Sequence, residues 1–169
     1  MKKLVIILIL LPIATKEMDV SRDNRFDSYL YAGLGRFKAI MAFRESSNNP
    51  DTTSSNGHYR GLYQFGISAS KDVDVHYDSL FIPRWSDTAL VRYMRLNWKR
   101  LGIYQKYVGD TISGIVVTKA GLLAASHLKG CAWVKEWLRT NGETNASDLN
   151  GTTIKDYMKL MEKVELIKY

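Results

Sequence analysis

The chain has little of what fastens small proteins from outside their cores. Of its 169 residues only Cys131 is a cysteine, so no internal disulfide can form and stability must come from packing. Cys131 lies between Gly130 and Ala132 in an apolar run, the setting of a buried and inert thiol. The three histidines, His58, His76 and His127, are scattered without metal-ligand spacing, so neither a metal nor a cofactor is expected. Long apolar runs are scarce too. Leu4–Ile13 is too short for an ordinary membrane span but suits the core of a secretion signal behind Lys2-Lys3. No cysteine follows that run, which excludes a lipoprotein on this pattern. An uncleaved anchor is the alternative to a signal. Repeats, low-complexity linkers and domain boundaries are also missing. We therefore expect residues 1–15 to be a signal peptide and 16–169 a single domain, secreted or periplasmic and monomeric, with no stable membrane insertion after signal removal.

What is present reads as helices. Apolar residues make up 46% and charged ones 24%, enough of the former for a real core. Residues 17–25 are a polar lead-in. From Phe26 to Glu45 apolar residues recur near helical spacing, although Gly33 and Gly35 each cost about 1 kcal/mol relative to Ala in a helix. A firm helix is expected over Arg36–Ser46, with Ile40 and Met41 inward and Glu45 one turn further along. Ile67–Val75 reads as a short helix or turn, and His76–Arg84 as irregular chain stopped by Pro83. Ser86 then caps a helix that ends at Gly102, with an apolar stripe of Leu90, Val91, Met94, Trp98 and Leu101. Within Thr111–Leu128, Ala120–Ala125 is a buried helix whose small side chains allow close approach. Gly130 breaks it, Ala132–Arg139 forms another helix, and Asn141-Gly142 turns the chain. A last helix spans Thr153 to about Val164, facing inward with Ile154, Tyr157, Met158 and Met161. The expected class is α+β, mostly helical, with a small β-hairpin.

The stretch Phe43–Gly66 is distinctive. Glu45-Ser46 closes the first helical pattern, and a segment crowded with Ser, Asn, Asp, Thr and Gly follows. It ends on Gly61-Leu62-Tyr63-Gln64-Phe65, at strand-like alternation. A carboxyl on a rigid helix end, faced by hydrogen-bonding groups and rings, suits work on a sugar polymer. Glu45-Ser46 with Gly61-Leu62-Tyr63-Gln64 resembles the signature of soluble lytic murein transglycosylases, within the lysozyme-like superfamily. The segments Gly121–Gly130 and Asn150–Met158 are similar to secreted proteins of that kind, so the resemblance covers roughly residues 36–160. It implies a lysozyme-like fold with a cleft between the helical core and the hairpin. It also implies that Glu45 is catalytic and that Ser46 helps orient it. The family's usual Ala-Tyr-Asn motif is absent; Ser126-His127 stands where it would be sought.

Cleaving a glycosidic bond needs a proton at the leaving oxygen, hence a carboxyl that desolvation keeps available as an acid. Phe43, Tyr63 and Phe65 are the expected apolar neighbours of Glu45. Gln64 offers donor and acceptor to an acetamido group or to the glutamate, Tyr63 a ring for a pyranose, and His127 a polar group on the opposite wall. Each has a plainer alternative: an exposed strand residue, a packed tyrosine, a satisfied core histidine. Most glycosidases use two carboxylates. Asp51, Asp72, Asp74 and Asp78 all lie in turn-like stretches and none carries a signature. A transglycosylase needs one acid, because the muramic acid's own hydroxymethyl group attacks the anomeric carbon. The expected partner is thus the glycan strand of peptidoglycan. A two-carboxylate lysozyme using Glu45 and an aspartate, and a non-catalytic peptidoglycan-binding protein, are the alternatives. A net charge of +7 agrees with a polyanionic partner but does not choose one. Nucleic acid is not expected, since the basic residues are scattered and no helix-turn-helix or aromatic ribonucleoprotein signature occurs.

Overall fold

The computed structural model describes residues 33–166. The expected signal segment, the polar lead-in and the start of the first apolar pattern lie outside these residues. Helix α1 (Leu34–Ser46) begins two residues earlier than periodicity suggests, because Gly33 takes a left-handed conformation that starts it. A side chain there would strike the Glu165 carbonyl. Leu34, Phe37, Met41 and Ala42 are buried, while Ile40 packs at the core's edge and Phe43 is 67% exposed. The helix stops through two left-handed residues, Ser47 and Asn48, whose amides return to the Phe43 and Ala42 carbonyls.

The segment expected to be strand-like is a turn. Strands β1 (Tyr59–Arg60) and β2 (Phe65–Gly66) pair antiparallel, with Tyr59 opposite Gly66 and Arg60 opposite Phe65. Gly61–Gln64 makes the reversal between them. Gly61 and Gln64 both have positive φ, and Gly61 lies so close to the Leu80 carbonyl that a Cβ would sit 2.0 Å from it. Helix α2 (Ile67–Asp72) and a 3₁₀ turn (Tyr77–Phe81) follow.

Helix α3 (Pro83–Leu101) corrects the expected start at Ser86. Pro83 opens the helix rather than stopping the chain before it, since a first-turn proline lacks only an N–H that would be unpaired anyway. Ser86 is fully buried and donates to the Leu80 carbonyl at 2.5 Å. Gly102, with φ of 56°, ends the helix as expected, and a 3₁₀ turn (Gly102–Tyr107) leads on. A second hairpin, β3 (Thr111–Ile112) with β4 (Ile115–Val116), is additional to the one expected. Its Ser113-Gly114 turn has positive φ at both residues, the geometry that matches strand twist in two-residue hairpins.

Helix α4 (Lys119–Lys129) is the axis of the molecule, and every residue from Ala120 to Ser126 is buried. It packs against α3, α5 (Cys131–Arg139) and α6 (Ile154–Leu160). Gly121 has the Met158 sulfur 3.1 Å from where its Cβ would stand, so the small residue sets the approach of α4 and α6. Thr153 and Asp156 cap α6 reciprocally. That helix ends at Leu160, short of Val164, yet Met161 and Val164 remain buried in the turn beyond. The whole is mostly helical with two small antiparallel hairpins, an α+β arrangement. Among the described residues no helix is long and apolar enough to cross a membrane.

The turn at Gly61 supports a stability prediction. Gly61→Ala forces a Cβ into a carbonyl at a left-handed position and should lower the unfolding free energy by about 3 kcal/mol or more. Gly57→Ala, also left-handed but with open space around it, should cost about 1–2 kcal/mol. Urea denaturation of both variants measures the difference, and equal losses would contradict the packing at Gly61.

Candidate active site

Glu45 occupies the last turn of α1, with its side chain 15% exposed. A carboxyl in that position loses most of its hydration and needs a partner. The Tyr157 hydroxyl supplies one, donating to Glu45 Oε1 at 2.5 Å from the buried face of α6. Burial first, then the Glu45 charge, pushes the Tyr157 phenol well above its ordinary pKa, so it remains a donor. Arg44 stands 6.0 Å from the centre of the Tyr157 ring and donates to Thr152 Oγ1 at 3.0 Å, closing the outer side.

His127, near the end of α4, approaches from the other wall. Its Nε2 lies 4.0 Å from Glu45 Oε1 and 2.7 Å from the Tyr63 carbonyl oxygen. A carbonyl only accepts, so Nε2 carries a hydrogen toward Tyr63. In the neutral ring Nδ1 is then an acceptor, and it makes no hydrogen bond among the described residues. The rings of Phe65 and Tyr93 meet the imidazole edge-on, with centroids 5.1 and 5.9 Å away. That packing fixes its plane.

The structure gives the other expected site residues different work. Ser46 is buried, and its hydroxyl lies 3.0 Å from the Ala42 carbonyl and 2.9 Å from that of Leu62. It fastens the hairpin turn to the end of α1. Tyr63 does not offer a ring to a sugar. It is 2% exposed, and its hydroxyl donates to Asp87 at 2.6 Å. Burial above all, with Asp87 beside it, raises the Tyr63 pKa strongly. Its contribution near Glu45 is the backbone carbonyl that holds His127. Gln64 spends its amide nitrogen on the Gly61 and Thr52 carbonyls at 2.9 and 3.1 Å, locking the turn from within. Phe43 points to solvent and leaves Phe65 and Tyr63 as the apolar residues on this side.

A cleft of about 610 Å³ opens between the first hairpin, α2 and the end of α4. His58, Tyr59, Gln64, Phe65, Asp72, Tyr93, His127 and Lys129 are among the residues that line it. His127 thus belongs to both the cleft and the surroundings of Glu45. Cys131 is buried, as its neighbours suggested, and burial pushes its thiol pKa up. Tyr157 and Tyr93 were not among the site residues expected. A phenol within the apolar stripe of α6 was the available signal, because a buried hydroxyl requires a partner. Scans of family models, curated proteins and solved structures find no match to the chain.

Tyr157→Phe keeps the ring and deletes the donor to Glu45. It should lower stability by about 1.5–3 kcal/mol, the range for a hydrogen bond to a charged group. Combined with Glu45→Gln in a double-mutant cycle, it should show a coupling of at least about 0.5 kcal/mol. Strict additivity of the two losses in urea denaturation would contradict the contact.

Proposed function

We propose that the chain is a peptidoglycan lytic transglycosylase with a lysozyme-like fold, in which Glu45 is the single acid and base. The observation that carries this reading is the setting of Glu45. It is a mostly buried carboxyl at a rigid helix end, held by Tyr157 and flanked by His127, a residue that also lines the cleft. The resemblance of Glu45-Ser46 and Gly61–Gln64 to the family's signature supplies the substrate class. In the proposed reaction Glu45 gives its proton to the glycosidic oxygen between MurNAc and GlcNAc as that bond breaks. The carboxylate then takes the proton from the 6-hydroxyl of the same muramic acid, whose oxygen bonds to the anomeric carbon and leaves a 1,6-anhydro end. Water does not enter the products. Tyr157 fixes the carboxyl's orientation, and His127, held by the Tyr63 carbonyl, stands 4.0 Å from it on the other side. The expected site of action is the cell envelope.

The other carboxyl groups favour the single-acid route. Asp78 is paired with Arg60 and Asp72 with Arg100, while Asp51 and Asp74 are exposed in turns. Asp72 is the foothold for a two-carboxylate lysozyme, since it alone of the four lines the cleft.

Glu45→Gln preserves shape but cannot supply the proton. Turbidity clearance of purified cell walls should fall by about 10²–10⁴-fold while circular dichroism stays unchanged. Asp72→Asn should retain activity within about tenfold. A folded Glu45→Gln protein that clears walls at the wild-type rate would sink the assignment, and an Asp72→Asn protein as inactive as Glu45→Gln would shift it to the lysozyme.

A further inference from the structure

The turn after α3 carries a basic and aliphatic surface outside the cleft, built over rings of Trp98, Tyr104 and Tyr107 that are half-buried against the core. The 3₁₀ turn Gly102–Tyr107 buries none of its residues fully and is pinned to the end of α3 by Gln105, whose Nε2 donates to the Trp98 carbonyl at 2.7 Å. The Tyr104 and Tyr107 rings lie nearly parallel, 6.1 Å apart. Three ammonium groups sit on aromatic faces here: Lys135 5.7 Å from Tyr104, Lys106 5.4 Å from Tyr107, and Lys119 4.9 Å from Trp98. From the same turn Ile103 projects with 78% of its surface in water, and Val108 follows at 43%. The nearby Glu136 carboxylate is taken by Arg139 through both oxygens, and the exposed Asp110 is the acidic residue that borders the turn beyond Val108.

A single exposed isoleucine is ordinary. The combination is not. Cations held over aromatic rings, on the turn from which an aliphatic side chain protrudes, match the layered chemistry of a lipid interface. The phosphates meet Lys106 and Lys135, the outer edges of the half-buried rings sit at headgroup depth, and the aliphatic side chain reaches the acyl boundary. A soluble polyanion would satisfy the lysines but would leave Ile103 and Val108 in water. We propose that this face docks peripherally on an anionic phospholipid bilayer, independently of the activity at Glu45.

The test uses the full chain with Ile103→Cys and a polarity-sensitive dye, which the buried Cys131 does not compete for. Added vesicles of phosphatidylcholine mixed equally with phosphatidylglycerol should blue-shift the emission, and phosphatidylcholine alone should not. The same dye at Leu149→Cys, in the exposed loop before α6, reports any binding through another surface and should stay unshifted. Lys106→Gln with Lys135→Gln should weaken the partition by about 25-fold, about fivefold for each cation removed. Circular dichroism verifies the fold of each variant. The proposal is overturned by no shift at position 103, by an equal shift on neutral vesicles or at position 149, or by a partition the double variant leaves unchanged. Binding to soluble polyphosphate that saturates without a shift, and blocks the vesicle signal at position 103, would instead make the face a polyanion site and also overturn it.

Discussion

A mostly buried carboxyl has to be answered by hydrogen-bond donors, and that constraint organises this molecule. Glu45 ends α1 in a position that water barely reaches, and its answer comes from Tyr157, far along the chain on α6. For the phenol to arrive, α6 must lie against α4, and it can do so closely because Gly121 leaves room for Met158. The capping box at Thr153 and Asp156 starts α6 at the register that turns Tyr157 inward. Breaking that contact by removing one partner alone leaves the other short of a bond, which costs more than the pair contributes.

The second wall is built by a turn that locks itself. Gln64, left-handed and hydrogen-bonded to Gly61 and Thr52, shapes the reversal; Ser46 ties Leu62 to the helix end. The Tyr63 carbonyl is thereby fixed, and it fixes His127 in turn. Side chains that look like substrate contacts in the sequence are the framework that places two other groups, Glu45 and the imidazole. Non-glycine residues held at positive φ cost energy that the surrounding bonds must offset, and here Gln64 provides part of that offset itself.

Much of the helical frame was legible because it rests on local signals: the apolar stripe of α3, the small-residue run of α4, the Gly130 break and the apolar stripe that follows Thr153. Pro83 reads as a stop in the sequence, yet its fixed φ suits a first helical turn, and α3 begins there rather than at Ser86. The second hairpin escaped because its strands are two residues each and the Ser113-Gly114 turn is a weaker signal than Asn-Gly. Glu45 and His127 are site candidates by type and place in the sequence, and the structure sets them 4.0 Å apart. The Tyr157 contact spans 112 residues, and no local pattern encodes a pairing at that distance. Tyr63 reads as a cleft residue in the sequence because alternation cannot tell a ring facing a cleft from one facing the core, where the structure puts it.

The central claim is that one carboxyl acts without a second and without water as nucleophile. The chemical form of the product end tests this most directly. Purified peptidoglycan digested by the protein, beside a Glu45→Gln control, is analysed by mass spectrometry of the released muropeptides. The account predicts muramoyl ends one water lighter than the reducing sugar, carrying the 1,6-anhydro ring, and none from the control. Reducing ends formed by the wild-type chain in place of anhydro ends would contradict it.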